Sequence, residues 1–216
     1  MEKNTNWMCS ESGVFAWYSN RKNSGLTVRW FLAGFFLLWT LMGQTIAEST
    51  PQPELWDMLR EGGNVVLIRH AQTIPGFGDP PGFRLNDCKS QRYLSEDGRE
   101  QSRRIGERFR KERIPLGPVL SSEWCRCYET AQLAFGAYEL WPPLNSFFEN
   151  YSTRDQQTRA MAERLDSFTG EQNLILVTHQ VNITALTGKT VSQGEGVVVR
   201  RDIDRGFLLL GKIRFE

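Results

Sequence analysis

The chain contains two histidines, and each closes a run of aliphatic residues: His70 ends NVVLIRH and His179 ends NLILVTH. Runs that are apolar at successive positions are expected of strands buried between helix layers. Ligand sites of open α/β sheets lie outside the carboxyl ends of the strands, so both imidazoles are expected to face one crevice. A lone histidine at a strand end is more often a satisfied structural residue. The repeated placement of the chain's only pair argues against that reading. Arg69 adjoins His70, and Arg126 opens a helix just after the strand-like PVLSS. One arginine near a strand end is ordinarily a solvated charge. Two of them converging with two histidines would form a pocket of fixed positive charge and forked donors, which suits a phosphate dianion. A metal site is not expected, because CRC is too short for a CxxC pattern and the histidines complete no ligand set.

The elements that must position these groups follow from spacing. Leu55 to Arg60 reads as a short helix stopped by Gly62 and Gly63. Ala71 to Tyr93, with three prolines and three glycines, reads as a long loop of the functional or mobile kind. Ser95 is the expected N-cap of a helix over EDGREQSRRIGERFRKERI, whose first turn is acidic and last turn basic, as the helix dipole favours. Ile105 and Phe109 supply its narrow apolar stripe. PVLSS is a second strand, CRCYETAQLAFG a helix ending at Gly136, and Tyr138 to Trp141 a weak third run closed by Pro142 and Pro143. Thr158 to Phe168 is expected to be helical, NLILVTH a strand, and VNITALTG a short helix closed by Gly188. Asn182, one turn along from His179, is the expected partner of that imidazole. VVVRRDIDRGFLLLGKIRF reads as two strands joined at Asp204 to Gly206. Strands alternating with helices predict an α/β fold with a mainly parallel sheet and an antiparallel pair at the end.

Composition narrows the partners. With 26 Lys and Arg against 25 Asp and Glu, the net charge is +1, and no basic field for nucleic acid is expected. Four of the seven tryptophans and two of the 25 acidic residues precede Glu48, so the start of the chain differs from the rest. Trp30 to Met42, WFLAGFFLLWTLM, follows Arg21, Lys22 and Arg29 and precedes GQTIAEST. That order is expected of a signal peptide cleaved after Ala47. The run falls short of the roughly 20 apolar residues of a bilayer span. An uncleaved anchor is the alternative, and membrane contact is expected only in that case. Met1 to Thr27 is long and aromatic for a basic leader, so translation is expected to start near Val28. The organisation is then a leader, 1–47, and one domain, 48–216, with 22 basic and 23 acidic side chains, in the periplasm or secreted. Cys9 would leave with the leader. Cys88, Cys125 and Cys127 allow at most one bridge, from Cys88 to Cys125 or Cys127; three buried or free thiols are the alternative.

Four segments, LIRHAQT, LSEDGREQSRRIG, VLSSEWCRCYETA and LVTHQ, stand in this order between about Asn64 and Gly188 and resemble the histidine phosphatase superfamily, also called phosphoglycerate mutase-like. The resemblance implies a three-layer α/β sandwich around the mainly parallel sheet. It implies a phosphoric monoester hydrolase that needs no metal or other cofactor, acting on a phosphorylated small molecule or sugar phosphate. By it, His70 is the nucleophile that takes the phosphoryl group, and Arg69, Arg126 and His179 bind its oxygens. A neutral imidazole attacks phosphorus in line, and the phosphohistidine splits one hard displacement into two easier ones. Charge on the equatorial oxygens then needs preorganised cations.

The chain departs from the family pattern at two places. Ala71 and Gln72 follow the RH pair where members often read Gly-Glu, and Ser146 falls where the proton-donating Glu of an LNE segment would stand. Glu149, three residues on, is the expected substitute, Asp155 the next, and Asp79 in GFGDPPGF is also within reach of a leaving group. Each is of a type more often found as a solvated loop charge. The GDPPGF loop and the DC and WCR segments look like exported bacterial members, some of which act on phosphorylated heptose, but no residue pattern here reads a sugar as such. Hydrolysis is expected over mutase transfer, which needs a large lid to exclude water. Two further readings compete: a catalytically weak phosphate-binding protein and a phosphohistidine protein phosphatase. Export argues against the second.

Overall fold

The computed structural model describes residues 52–215. The leader reading of residues 1–47, its boundary at residue 48 and Cys9 lie outside the described residues.

β1 (Asn64–Arg69) carries the first aliphatic run and is buried because it sits inside the sheet. Its alternate side chains serve two cores. Val66 and Ile68 meet Leu55, Trp56 and Leu59 of α1 (Gln52–Glu61), Ile105 and Phe109 of α2 (Glu96–Lys111), and Ala131 and Ala134 of α3 (Cys125–Phe135). Val65 and Leu67 meet Met161 and Leu165 of α4 (Arg154–Asp166) and Ile183 of α5 (Gln180–Thr187). Helices on both faces explain why these strands read as continuous apolar runs and not as alternating ones. The three-layer α/β sandwich follows from that division.

The sheet has six strands in the order β3-β2-β4-β1-β5-β6. β3 (Glu139–Leu140), β2 (Leu116–Ser121), β4 (Asn173–Thr178) and β1 pair in parallel. β5 (Gly196–Asp202) runs antiparallel to both β1 and β6 (Gly206–Ile213), so the terminal hairpin docks onto β1. β1 and β4 are neighbours in register, Arg69 beside Thr178, which brings the residues that follow them to one edge.

Two contacts of α2 need glycine. A Cβ on Gly98 would stand 1.9 Å from Gln72 O, and one on Gly106 would stand 2.0 Å from Ala134 O. The first lets the chain leaving β1 lie on α2, where Ser95 N–H donates to Gln72 O at 3.0 Å. The second lets α2 and α3 pack at backbone distance. Ser95 caps α2 through Gly98 N–H, as read from the sequence.

Three expectations shift in detail, the first being that α1 begins at Gln52, three residues before Leu55. α4 begins at Arg154, four residues before Thr158, because a 3-10 turn at Tyr151–Thr153, capped by Asn150, feeds directly into it. The weak third run contributes only the two exposed residues Glu139 and Leu140 as edge strand β3. Ala71 to Tyr93 is the expected loop, with one 3-10 turn at Cys88–Ser90.

Of the pairings left open, the structure has Cys88–Cys125, with Cys127 buried as a thiol. The bridge fastens the long loop to the first turn of α3 across a sequence separation of 37. Closing a loop of this length stabilises a domain by about 3–4 kcal/mol in the chain-entropy account. Cys88→Ser/Cys125→Ser is therefore expected to lower the denaturant midpoint, with an m-value equal to or above the parent's because the freed denatured chain exposes more surface. An unchanged midpoint would contradict it.

Candidate active site

His70 and His179 follow the neighbouring strands β1 and β4, and their rings meet edge to face with centroids 5.4 Å apart. Both are almost fully buried. Together with Arg69, Arg92 and Arg126 they line one cavity of about 550 Å³, completed by Gly76, Phe77, Gly78, Ser146, Phe148, Gln180, Val181, Ser192 and Gln193. The expected crevice outside the carboxyl ends of the strands is this cavity, and it unites His70, His179, Arg69 and Arg126.

Local bonding orients each group. His70 Nδ1 lies 2.8 Å from Ala71 O, and since a carbonyl only accepts, Nδ1 carries the proton and Nε2 keeps its lone pair. Ser122 Oγ donates to Asn145 Oδ1 at 3.1 Å, which leaves it to accept from His179 Nε2–H at 3.0 Å. Trp124 and His179 also pack edge to face, with centroids 5.4 Å apart. Arg69 Nη1 donates to Val191 O at 3.0 Å, and Arg92 Nη1 donates to Gly76 O at 2.6 Å. The Nε–H groups of Arg69, Arg92 and Arg126 are buried without an acceptor. Three guanidinium groups beside two imidazoles gather positive charge on one cavity wall, which suits an anion.

Arg126 has one carboxylate partner, Asp79 of the long loop. Its Nη1 and Nη2 donate to the two Asp79 oxygens at 2.8 and 3.1 Å, and both side chains are 5% exposed. Trp124 Nε1 and Arg92 N–H donate to the same carboxylate at 3.0 and 2.8 Å. Asp79, read from the sequence as within reach of a leaving group, thus has both oxygens occupied in holding Arg126. Asp155 pairs with Arg154 at 2.8 Å and lines a different cavity beside Tyr151 and Thr158. Glu149 is exposed and does not line the cavity; its Oε1 accepts from Asp79 N–H at 3.3 Å. The cause is local: Phe147 is buried, and Ser146 and Phe148 on either side of it line the cavity, which turns the next residue outward. Ser146 thereby occupies the inward position, and no carboxylate is among the lining residues.

Asn182 does not bond His179. Its amide donates to Asn145 O at 2.9 Å and so anchors the segment whose Oδ1 accepts from Ser122. Arg92 and Ser122 are the residues that sequence reasoning misses. Arg92 sits in a loop, where an arginine reads as solvated. Among the described residues, no group of three or more His, Cys, Asp or Glu side chains is placed to hold a metal ion. Among them, too, no helix is long and apolar enough to cross a membrane.

Burial, and then the charge of Arg126, holds both imidazoles well below their ordinary range. His70 is thereby neutral at physiological pH, with its lone pair free. Cys127 Sγ lies 3.3 Å from His179 Nε2, but burial pushes the thiol up to about 12, so it stays protonated. The same shifts set a pH dependence of stability. The unfolded chain protonates these histidines near their ordinary value of about 6.5, while the folded protein does not, so folding loses free energy as pH falls through that value. The Tm is expected to drop between about pH 7 and pH 5.5, with a shallower slope in His70→Asn/His179→Asn. Equal slopes would contradict it.

Residues 65–145 match the family model of the histidine phosphatase superfamily, branch 1. The match contains Arg69, His70, Arg92 and Arg126; His179 lies beyond it and joins the others through the fold. No curated protein matches the sequence. Among solved structures, a putative alpha-ribazole-5'-P phosphatase from Escherichia coli K-12 has 19% identity and a TM-score of 0.52, covering 68% of this chain and 94% of its own. The protein histidine phosphatase SixA, complexed with tungstate, has 15% identity and a TM-score of 0.51, covering 70% and 97%. The phosphoserine phosphatase of Entamoeba histolytica, in complex with 3-phosphoglyceric acid, has 13% identity and a TM-score of 0.51, covering 69% and 95%. At these identities the likeness is one of fold, and the fold is phosphoglycerate mutase-like. The family match and the fold together bear out the resemblance read from the four segments.

Proposed function

We propose, from its likeness to the histidine phosphatase superfamily, that this protein hydrolyses phosphate monoesters through a phosphohistidine at His70. The observation that carries the reading is the convergence of Arg69, Arg92 and Arg126 on the cavity that holds His70, a neutral imidazole with a free Nε2. In the first step the Nε2 lone pair attacks phosphorus, the P–O bond to the alcohol breaks, and the alkoxide takes a proton. In the second, water attacks the phosphohistidine, gives up its proton, and releases phosphate and free His70. The arginines hold the phosphoryl oxygens through both steps, and His179, whose Nε2–H is given to Ser122, joins them by taking a proton at Nδ1 as the phosphate enters. Backbone carbonyls and Asp79 fix those arginines in advance, so little reorganisation is left for the reaction itself.

We assign the proton transfers to Glu149. It stands on the loop beside Phe148, is open to water for reprotonation, and has a single long contact to Asp79 N–H to give up. Catalytic contacts are often slack before substrate binds. Glu149→Gln is expected to lower kcat/KM for alkyl phosphates by about 10²-fold or more and for p-nitrophenyl phosphate far less, because a nitrophenolate leaves without a proton. Equal losses on both would point away from proton donation.

The test of the whole reading is phosphate release from a panel of sugar phosphates, nucleotides and small alkyl phosphates in EDTA, with acid-labile phosphate trapped on the protein. Activity abolished by EDTA, or turnover without the trapped intermediate, overturns it. A second reading, a phosphate-binding protein with little turnover, is favoured by Ser146 and the carboxylate-free cavity wall. It requires vanadate to raise the Tm while no ester is hydrolysed. Action outside the reducing cytosol is part of the proposal, supported by the leader pattern and by the Cys88–Cys125 bridge. A native N-terminus at Glu48 is the expected outcome of Edman sequencing.

A further inference from the structure

We propose that the alcohol portion of the substrate is uncharged and presents a flat ring face to Phe77 and Phe148; this rests on the phosphatase reading above. The two phenyl rings line the same cavity as the histidines and arginines, one from each of the loops that flank it. Phe77 is 89% exposed and Phe148 37%, yet they pack edge to face with centroids 5.1 Å apart. Two adjoining exposed phenylalanines at the mouth of a charged pocket form an apolar surface that neither core uses. The turn that presents Phe77 is built for it. Gly76 and Gly78 flank it with φ of 142° and 70°, a backbone region other residues rarely adopt. Asp79, next along, ties the loop to Arg126 and to Glu149 of the facing loop.

Charge decides what kind of alcohol fits. Three lining arginines less the one charge of Asp79, paired to Arg126 behind them, leave two positive charges with both histidines neutral, and Glu149 at the leaving-group side adds no cation to this sum. A phosphate dianion matches that surplus and leaves nothing for a second anion. Every other lining residue is uncharged, and Ser146, Gln180, Ser192 and Gln193 offer neutral hydrogen bonds only. An alcohol bearing a carboxylate or a further phosphate would enter uncompensated, whereas a ring packs on phenyl faces and edges. The chemistry shared by suitable substrates is a monophosphate on an uncharged ring-bearing alcohol, whether the ring is an aryl group or the C–H face of a sugar.

The experiment compares kcat/KM of the full chain on benzyl phosphate, a hexose 6-phosphate, phosphoserine and 3-phosphoglycerate, in the parent protein and in Phe77→Ala and Phe148→Ala. At least one ring ester is expected to exceed both charged acyclic esters by about tenfold or more. Each variant should erase most of that advantage through KM while inhibition by inorganic phosphate stays within about twofold. The benzyl and hexose arms tell which ring is preferred. Preference for phosphoserine or 3-phosphoglycerate overturns the proposal, as does a ring preference that neither variant moves. If no ester is hydrolysed, the phosphatase reading fails separately. Calorimetric binding of benzylphosphonate against inorganic phosphate then decides this one: tighter binding lost in Phe77→Ala supports it, and equal binding overturns it.

Discussion

His70→Ala is expected to reduce phosphate release by at least about 10⁴-fold, the scale on which losing a nucleophile outweighs every other single change. The reasoning is that the arginines alone bind the phosphoryl group but break no bond. His70→Ala should therefore still gain thermal stability from vanadate, because Arg69, Arg92 and Arg126 remain, while accumulating no acid-labile phosphate. Substitution at a group only 3% exposed carries a folding risk, so circular dichroism and the vanadate response are the controls. Retained turnover in a folded His70→Ala protein would remove the proposed mechanism, whatever the substrate.

Arg126→Ala is expected to damage activity and stability together, for different reasons. Loss of one preorganised donor to the phosphoryl oxygens lowers kcat/KM by about 10²- to 10³-fold. The stability loss arises elsewhere: the Asp79 side chain, 5% exposed, would keep Trp124 Nε1, Arg92 N–H and the charge of Arg92 but lose the guanidinium that pairs both its oxygens. Breaking one side of a buried pair typically costs about 3–5 kcal/mol, because the remaining charge is left uncompensated. Arg126→Ala/Asp79→Asn removes that charge and should regain most of the stability but none of the activity. Urea denaturation of the two variants checks this directly. If the single variant is as stable as the double, Asp79 does not depend on Arg126 as the geometry implies.

The strand-end histidines are legible in the sequence because a buried strand and its terminal polar residue are local facts: seven consecutive letters specify both. The helix over Glu96–Lys111 is legible for the same reason, through Ser95 and the charge gradient. What local spacing does not carry is direction and closure. Glu149 sits three residues from the inward-facing Ser146, but which way it points depends on Phe147 finding a place in the interior. Arg92 reaches the cavity because Asp79 accepts its backbone N–H and Gly76 O its guanidinium, contacts made across 13 and 16 residues of loop. The choice between Cys125 and Cys127 as partner for Cys88 likewise turns on α3, whose first residue faces the loop while the third faces His179. The start of α4 escapes the periodic reading because its first turn, RDQQ, has no apolar residue to mark it.

The placement of Phe77 and Phe148 on loops, with His70 and His179 at the ends of the central strands, separates two kinds of change open to this protein. Residues at β1 and β4 are bound into a parallel ladder, and altering them disturbs both cores. The two phenyl side chains touch neither core and can be exchanged at little cost to the framework. Selection or design working on those loop positions alone can therefore retarget the protein to a different alcohol while the bond-breaking machinery is inherited intact.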